Sequence, residues 1–309
     1  MKIGAIISEY NPFHNGHKYH IEQTRAAGVT HIAAVMSGNF TQRGDAAIYD
    51  KHVRARAALE NGIDLVIELP VRYSLMAAEG FARGAVEIVS ALGCVDTLSF
   101  GSESGDIEAL KEASRAIEFT AHTKEFDKLI KHGKSYPAAL HEAMLEYYTK
   151  DVAELIASPN NTLAIEYLSA LDNIASPIKP MTIKRLGADH DSDDEDVFIS
   201  ASAIRKKILN GGDISTFAPA VDAPAADITR LERAILAKLR TLRAEDFERC
   251  YDSIGGLAER LGKAVRGARS LSELYFLAKA KRYTLSSIRR AVMCAFLNLD
   301  KKFAAEKPA

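Results

Sequence analysis

Residues 2–27 read KIGAIISEYNPFHNGHKYHIEQTRAA, and this stretch decides the fold. It begins with an isoleucine-rich apolar run at residues 2–7, which is typical of a buried strand. Asn11 and Pro12 then predict a turn, because both residue types favour turn geometry. A helical pattern follows over residues 16–27. Strand, turn and helix in this order form the first half of a βαβ unit.

The same alternation continues through the first hundred residues. Residues 31–36 (HIAAVM), 63–69 (IDLVIEL) and 94–100 (CVDTLSF) are strand-like, and helical patterns at 50–61 and 77–92 separate them. Short strands alternating with longer helices predict a parallel sheet joined by right-handed crossovers. We therefore predict an α/β fold with a doubly wound parallel sheet.

The remainder of the chain is mainly helical in pattern. Residues 106–171 predict helices that break at Pro137 and Pro159, and residues 180–184 (PMTIK) predict a last strand. The acidic run at 190–196 contains no apolar residue, which predicts a solvated loop. Only helical patterns follow the Pro/Ala-rich stretch at 218–226. We predict an α/β domain at 1–217 and a smaller all-α domain at 218–309.

Composition excludes several classes of protein. With 309 residues, 47% of them hydrophobic and 26% charged, the chain has the composition of a folded globular protein. No run approaches the roughly 18 consecutive apolar residues of a membrane helix. Cys94, Cys250 and Cys294 lie far apart without CxxC spacing, which argues against a disulfide framework and a zinc site. We expect a cytoplasmic protein with no membrane partner and no bound metal of its own.

The charge is unevenly distributed along the chain. Residues 1–200 contain 19 Lys and Arg against 29 Asp and Glu, whereas residues 201–309 contain 21 against 12. A basic final third suits a polyanion such as RNA, because Lys and Arg neutralise phosphates. The alternative is a helical domain that is merely rich in these residues.

The segment NPFHNGH, residues 11–17, carries the strongest chemical signal. In open parallel sheets, ligands bind where a strand ends and a helix begins, and the positive helix end suits phosphate. His14 and His17 are three residues apart, so both imidazoles lie on one face and can donate to one triphosphate. Two surface histidines or half of a metal site are the alternatives. The position after a first parallel strand favours nucleotide binding.

A second segment, ISASAIR at residues 199–205, complements the first. Ser200 and Ser202 stand at a helix start, where hydroxyls cap backbone N–H groups or bind phosphate oxygens. Arg205 follows about one turn later, and its guanidinium fork matches phosphate geometry. Alone, this pattern would describe an ordinary capped helix; together with HNGH it indicates a triphosphate site.

The two motifs resemble the HIGH and ISxSxIR elements of the nucleotidylyltransferase superfamily. Further segments narrow the resemblance to the bacterial tRNA(Met) cytidine acetate ligases, and it runs over nearly all of residues 1–299. These segments are EYNPFHNGH (9–17), MSGNFTQRGDAAIYDK (36–51), DLVIELP (64–70), FGSESGD (100–106), SPNN (158–161) and KRYT (281–284).

That resemblance implies an enzyme that converts ATP and acetate into acetyl-adenylate and then acetylates N4 of the wobble cytidine of elongator tRNA(Met). ATP is expected to bring Mg²⁺ with it, and no protein partner is identified. The resemblance and the motif chemistry together predict catalytic roles for His14, His17, Lys51, Ser202 and Arg205. Lys51 is a candidate for phosphate or tRNA contact. The implied ATP site comprises Ile7, Ser8, Glu9, Tyr10, Asn11, Pro12, Phe13, His14, Asn15, Gly16, His17, Lys18, Tyr19, His20, Gly101, Asn160, Arg185, Ser200, Ser202 and Arg205.

Basic residues interleaved with tyrosines in the final third suit an RNA backbone with an occasional stacked base. The alternative is a solvated helix face. His20 lies one turn beyond His17 and either lines the edge of the pocket or is exposed; from its position alone, exposure is favoured. The expected tRNA-binding residues are Lys263, Arg266, Lys281, Arg282, Arg289 and Arg290.

Two other functions remain open from the sequence. A nucleotidylyltransferase for a small phosphorylated acceptor would explain both phosphate motifs but not the basic helical third. A tRNA-binding protein without catalysis would explain the basic third but not the intact motifs.

Overall fold

The computed structural model describes residues 1–186, 199–251, 253 and 255–302. Within this part of the chain, five parallel strands form one sheet in the order β3-β2-β1-β4-β5. This topology confirms the predicted doubly wound parallel sheet. The strands are β1 (Ile3–Ser8), β2 (His31–Ser37), β3 (Leu65–Leu69), β4 (Thr97–Ser102) and β5 (Lys179–Lys184).

Ten helices accompany the sheet in the described part of the chain before residue 210. Pro137 and Pro159 each lie in the first turn of a helix, where proline's missing N–H is tolerated, so the two predicted breaks are confirmed. The predicted acidic loop at 190–196 lies outside the described residues. The helices are α1 (Asn15–Ala26), α2 (Lys51–Glu60), α3 (Val71–Ser74), α4 (Ala78–Ala91), α5 (Ile107–Thr120), α6 (Lys124–Lys131), α7 (Tyr136–Tyr147), α8 (Lys150–Leu155), α9 (Pro159–Asn173) and α10 (Ala201–Leu209).

Both faces of the sheet are covered. Ala5 contributes to a core that includes Val86 of α4 and Leu168 of α9. The next residue, Ile6, contributes to a second core with Ile21 of α1. Successive strand residues point to opposite faces, so β1 is an almost continuous apolar run, as buried parallel strands usually are.

The later helices build a third core. They are α11 (Glu232–Arg240), α12 (Ala244–Glu248), α13 (Leu257–Gly267), α14 (Leu271–Ala278) and α15 (Leu285–Leu297), preceded by a 3₁₀ turn at Ile228–Leu231. Ile235, Leu261 and Ile288 are fully buried in this core, and Leu75, which follows α3, packs into it. We refer to α11–α15 as the helical layer. The division at residue 217/218 stays a prediction.

No helix of the described residues has the length and apolar character needed to cross a membrane. Cys94 is exposed, Cys250 and Cys294 are buried, and all three are free thiols.

Candidate functional site

The two histidines lie at the carboxyl end of β1, where α1 begins. His14 is the N-cap of α1, and its Nδ1 accepts a hydrogen bond from the Gly16 N–H at 3.0 Å. The Nδ1 of His17 accepts from the His14 N–H at 3.2 Å, and the two rings stack with centroids 3.8 Å apart. A neutral ring that accepts at Nδ1 carries its proton on Nε2. Both histidines therefore keep an Nε2–H donor for a ligand.

Both imidazoles are neutral at pH 7. Burial lowers the pKa of His14 to about 4, and the nearby Arg185 and Arg205 lower it further. Burial also lowers the pKa of His17 well below its usual value, with a contribution from His14. The pair therefore offers hydrogen bonds to phosphate rather than positive charge.

The turn before the histidines is held rigidly. Asn11 is buried, and its Oδ1 accepts from the Ile48 N–H at 2.7 Å. The Asn11-Pro12 peptide is cis. A Cβ added to Gly16 would lie 2.9 Å from Cε1 of His14, so only glycine permits this approach of ring and backbone. The backbone of the motif is thus fixed by contacts on both sides.

The second motif lies directly beside the first. The Arg205 guanidinium donates from Nη1 to the Asn11 carbonyl at 2.7 Å and from Nη2 to Ser202 Oγ at 2.9 Å. Ser200 caps α10 by accepting from the Ala203 N–H. The two segments are separated by 194 residues in sequence and meet at one edge of the sheet. The convergence required for a shared triphosphate site is therefore present.

The connection that follows α10 also joins this edge. The Asn15 N–H donates to the Phe217 carbonyl at 2.9 Å, and the Asn15 side-chain amide donates to the Thr216 carbonyl at 2.8 Å. The start of α1 is consequently bonded to the chain that leads towards the helical layer.

Three further residues of the implied ATP site lie at or beside the ends of β4 and β5. Gly101 is in β4, and a Cβ added there would lie 3.3 Å from Cγ of Arg185, the exposed residue that follows β5. Asn160, in the first turn of α9, donates from its amide to Glu103 at 2.6 Å. These contacts place all three residues at the carboxyl edge of the sheet.

The other residues of segment 7–20 differ in exposure. Ile7, Tyr10, Pro12 and Phe13 are buried, and the Tyr10 ring packs edge-on against His17 at 4.9 Å. Ser8, Asn15 and Tyr19 are half-buried, whereas Lys18 is exposed. His20 is also half-buried and hydrogen-bonds Ser99 Oγ at 2.9 Å, so interpreting it as exposed was wrong. The ligand roles of these residues stay predictions.

Sequence reasoning missed Arg54, which organises the ends of β1 and β2. This residue is only 1% exposed and donates to the Glu9 carbonyl at 2.6 Å, the Ser37 carbonyl at 3.0 Å and the Gly38 carbonyl. The signal was its spacing of three and four residues from the buried Ala57 and Ala58 of α2.

Glu9 connects residues 11–17, the predicted nucleotide motif, to the loop after β2. Its Oε1 accepts from the Gln42 N–H at 2.7 Å. Burial raises the pKa of the Glu9 carboxyl, while this hydrogen bond and the charges of Arg205, Arg43 and Arg54 oppose the rise. The loop after β2 is therefore anchored to Glu9, the residue that precedes Tyr10.

Lys51, at the start of α2, forms an ion pair with Glu68 of β3, with Nζ and Oε2 2.5 Å apart. This contact places Lys51 at the β2–β3 side of the carboxyl edge, and its catalytic role stays a prediction. Within the described residues, no group of three or more His, Cys, Asp or Glu side chains is arranged to hold a metal ion.

The expected tRNA-binding residues fall into two groups. Lys263, Arg266, Lys281 and Arg282 are exposed on the helical layer. Arg289 and Arg290 instead face the loop after β2. Arg289 is near Asp45, with Nη1 and Oδ2 3.6 Å apart, and its guanidinium lies 5.5 Å from the centre of the Tyr275 ring.

Arg290 corrects the expectation of direct tRNA contact. It is only 6% exposed, and its Nη1 donates to the Gln42 carbonyl at 3.1 Å. Gly44 of the same loop packs against the backbone of Arg289 and Arg290. Arg290 is buried because the loop after β2 covers it, so it fastens the helical layer to the sheet instead of presenting charge to RNA.

Comparisons with known proteins identify the family of this chain. Residues 1–308 match the family model described as HIGH Nucleotidyl Transferase. The chain is 38% identical to the tRNA(Met) cytidine acetate ligase of Fervidobacterium nodosum, covering 98% of this chain and 75% of the relative. It is 36% identical to the enzyme of the same name from Thermosipho melanesiensis, with the same coverage.

Solved structures give the same result. TmcAL of Thermotoga maritima bound with alpha-thio ATP superposes with a TM-score of 0.88 at 32% identity. The apo form of that protein superposes with a TM-score of 0.89 at 33% identity. Each comparison covers 98% of this chain and 77% of the solved chain.

Proposed function

The chain belongs to the tRNA(Met) cytidine acetate ligases within the HIGH nucleotidyl transferase family, and we propose from this premise that it is an ATP-dependent tRNA(Met) cytidine acetate ligase. The observation that carries the proposal is the contact between Arg205 and the Asn11 carbonyl, which brings both phosphate motifs to one place. The ATP analogue bound to the similar Thermotoga protein supports the same ligand.

In the first step, acetate attacks the α-phosphate of ATP and pyrophosphate leaves. Acetate is already an anion at pH 7, so the protein supplies positioning and charge stabilisation without a general base. His14 and His17 donate from Nε2 to the phosphates. Arg205, Ser200 and Ser202 bind the β- and γ-phosphates, and Mg²⁺ arrives as the ATP complex.

In the second step, N4 of the wobble cytidine attacks the carbonyl carbon of acetyl-adenylate, AMP leaves, and one N4 proton is released to solvent as the amide forms. Cytosine N4 is a weak nucleophile because its lone pair is delocalised into the ring, and a mixed anhydride shielded from water compensates for this weakness. The base must first leave the anticodon stack, which costs least for loop bases. Lys263, Arg266, Lys281 and Arg282 bind the tRNA backbone.

This proposal assigns ATP and acetate activation to residues 1–217 and tRNA binding to the basic helical residues 218–309. This division of roles fits the charge distribution, since the final third carries the excess of Lys and Arg. The exposed basic surface of the helices also disfavours a small phosphorylated acceptor, which would not require such a surface.

The decisive assay incubates the protein with ATP, labelled acetate and a transcript of elongator tRNA(Met). We expect label in the RNA as N4-acetylcytidine, and acetate-dependent exchange of pyrophosphate into ATP without the tRNA. A transcript with uridine at the wobble position is the matched control and should remain unlabelled. Unlabelled RNA from a protein that demonstrably binds ATP would refute the proposal.

A further inference from the structure

A cavity of about 300 Å³ lies between the sheet and the helical layer. Its wall on the sheet side consists of residues 38–40 after β2, Glu68 of β3 and Val71 of α3, and the helical layer contributes Leu297 and Leu299. The mechanism above leaves this cavity without a ligand. Pockets at the junction of two packed units and at the carboxyl edge of a parallel sheet are common binding sites.

Strand register places the cavity beside the nucleotide motif. Ser8 of β1 pairs with Met36 of β2, and Met36 pairs with Glu68 of β3. Neighbouring strands lie about 4.8 Å apart, so the Cα atoms of Ser8 and Glu68 are about 10 Å apart. Ser8 precedes the motif that carries His14 and His17. The cavity therefore adjoins the predicted triphosphate site on the side opposite β4.

The polar groups of the cavity have a defined pattern. Glu68 approaches the backbone at Gly38 so closely that a Cβ on Gly38 would clash with its Oε1. Lys51 neutralises the carboxylate through Oε2, and the Glu68 side chain remains 48% exposed. Asn39 accepts from the Lys51 N–H through Oδ1, and its amide nitrogen donates one hydrogen to Asp50 Oδ2 at 3.4 Å, so the second amide hydrogen is the one that a ligand can take. The cavity thus combines a carboxylate acceptor with an amide donor.

This pattern is complementary to one edge of cytosine. Cytosine presents the N4 amino donor beside the N3 acceptor, whereas uracil presents an O4 acceptor beside an N3 donor. A carboxylate accepts from N4–H, and an amide donates to N3. The Phe40 ring and the two leucines provide an aromatic and apolar wall, the kind of surface on which an unstacked base is held.

We propose that this cavity receives the flipped wobble cytosine and that Glu68 reads its N4 amino group through Oε1, with Asn39 at N3. The inference rests on the proposed function and names the base site of that reaction. The position of the cavity suits the second step of the reaction. When the tRNA is bound to the helical layer, a base in this cavity faces the edge of the sheet where acetate is activated. A hydrogen bond from N4–H to a carboxylate also increases electron density on N4, which assists its attack on the acetyl carbon.

The test compares Glu68→Gln with Asp64→Asn. Asp64 immediately precedes the same strand and is comparably exposed at 41%, and it also pairs with a basic residue, Arg25, but at the opposite edge of the sheet. For each protein, acetyl transfer to the tRNA(Met) transcript is divided by acetate-dependent ATP–pyrophosphate exchange measured without tRNA. We expect Glu68→Gln to lower this ratio about tenfold, since a hydrogen bond to a charged group is lost. We expect Asp64→Asn to leave the ratio unchanged.

A second measurement distinguishes loss of the contact between Glu68 and the base from an indirect effect of losing the ion pair between Glu68 and Lys51. The dissociation constants of the wobble-cytidine and wobble-uridine transcripts are compared by filter binding, which requires no catalytic activity. We expect Glu68→Gln to reduce the preference for cytidine about tenfold, both alone and in a Lys51→Met background. A preference unchanged by Glu68→Gln, or an effect that vanishes in the Lys51→Met background, would overturn the inference.

The outcome is distinguishable from failure of the proposed function. If the unaltered protein neither exchanges pyrophosphate nor labels the tRNA, the ligase proposal fails. If the unaltered protein is active and Glu68→Gln only raises the KM for acetate during exchange, the cavity binds acetate and the base site lies elsewhere.

Discussion

Replacing Gly44 with alanine tests the connection between the nucleotide motif and the helical layer. Gly44 has a positive φ of 74°, and a Cβ there would lie 2.6 Å from the carbonyl carbon of Arg289 and closer still to the Arg290 nitrogen. The left-handed conformation costs an alanine about 1–2 kcal/mol. Forcing a methyl group against helix backbone adds about 1–3 kcal/mol, because neither backbone can yield without moving α15.

The matched control is Gly93→Ala. Gly93 has a similar φ of 67°, but no atom lies within 4 Å of the added Cβ, so only the conformational term applies. Urea unfolding followed by circular dichroism should therefore show a loss of about 2–5 kcal/mol for Gly44→Ala and about 1–2 kcal/mol for Gly93→Ala. Because Gln42 of the same loop donates to Glu9, we also expect Gly44→Ala to reduce tRNA acetylation more than Gly93→Ala does. Equal stabilities of the two variants would refute the tight contact between the loop and α15.

Three further predictions follow from the site. Arg205→Lys removes the planar guanidinium that holds Asn11 and Ser202, so the KM for ATP in pyrophosphate exchange should rise about 10- to 100-fold. The control is Arg115→Lys at an exposed position, which should leave this KM unchanged. Equal KM values for the two variants would contradict the role of Arg205. Burial lowers the pKa of His20 to about 4, so as the pH falls below 6.5 the unfolded chain takes up a proton at this residue before the folded protein does. In urea titrations, the unaltered protein should therefore lose about 1.5 kcal/mol more stability between pH 6.5 and 5 than His20→Gln loses. Equal losses in the two proteins would argue against a buried neutral imidazole. Lys263→Ala combined with Arg266→Ala should reduce the slope of log Kd for tRNA against log salt concentration by about 1.4–1.8. Lys124→Ala combined with Lys128→Ala, at two other exposed positions, should leave this slope unchanged. An unaltered slope for the first double variant would place the RNA elsewhere.

Local sequence patterns were sufficient for most of the sheet. Each of the five strands overlaps a segment predicted to be a strand, and the helices after β4 break near Pro137 and Pro159. These features depend on the residues of one segment and on its immediate neighbours. The pairing of HNGH with ISASAIR was also predictable, because both patterns imply the same ligand.

Features that depend on distant partners were not predictable. Arg290 looks like one more exposed cation on a basic helix, and its burial depends on the loop after β2, whose Gln42 carbonyl is 248 residues away in sequence. Arg54 is similar, since its acceptors are the ends of two strands. Lys51 was predicted to contact phosphate or tRNA, but its ion pair with Glu68 depends on how α2 packs beside β3. Charge alone does not distinguish a side chain that binds a ligand from one that holds two segments together.

The bond between Arg205 and the Asn11 carbonyl lies wholly within the protein, so it forms as the chain folds. Immobilising an arginine side chain sacrifices about 2 kcal/mol of rotamer freedom, and here the folding reaction has already absorbed that loss. An incoming triphosphate meets a guanidinium whose direction is set, so more of the contact energy appears as affinity. The affinity for the nucleotide consequently depends on how stably α10 packs against the sheet. A substitution that destabilises this packing weakens ATP binding even when the substituted residue contacts no phosphate oxygen.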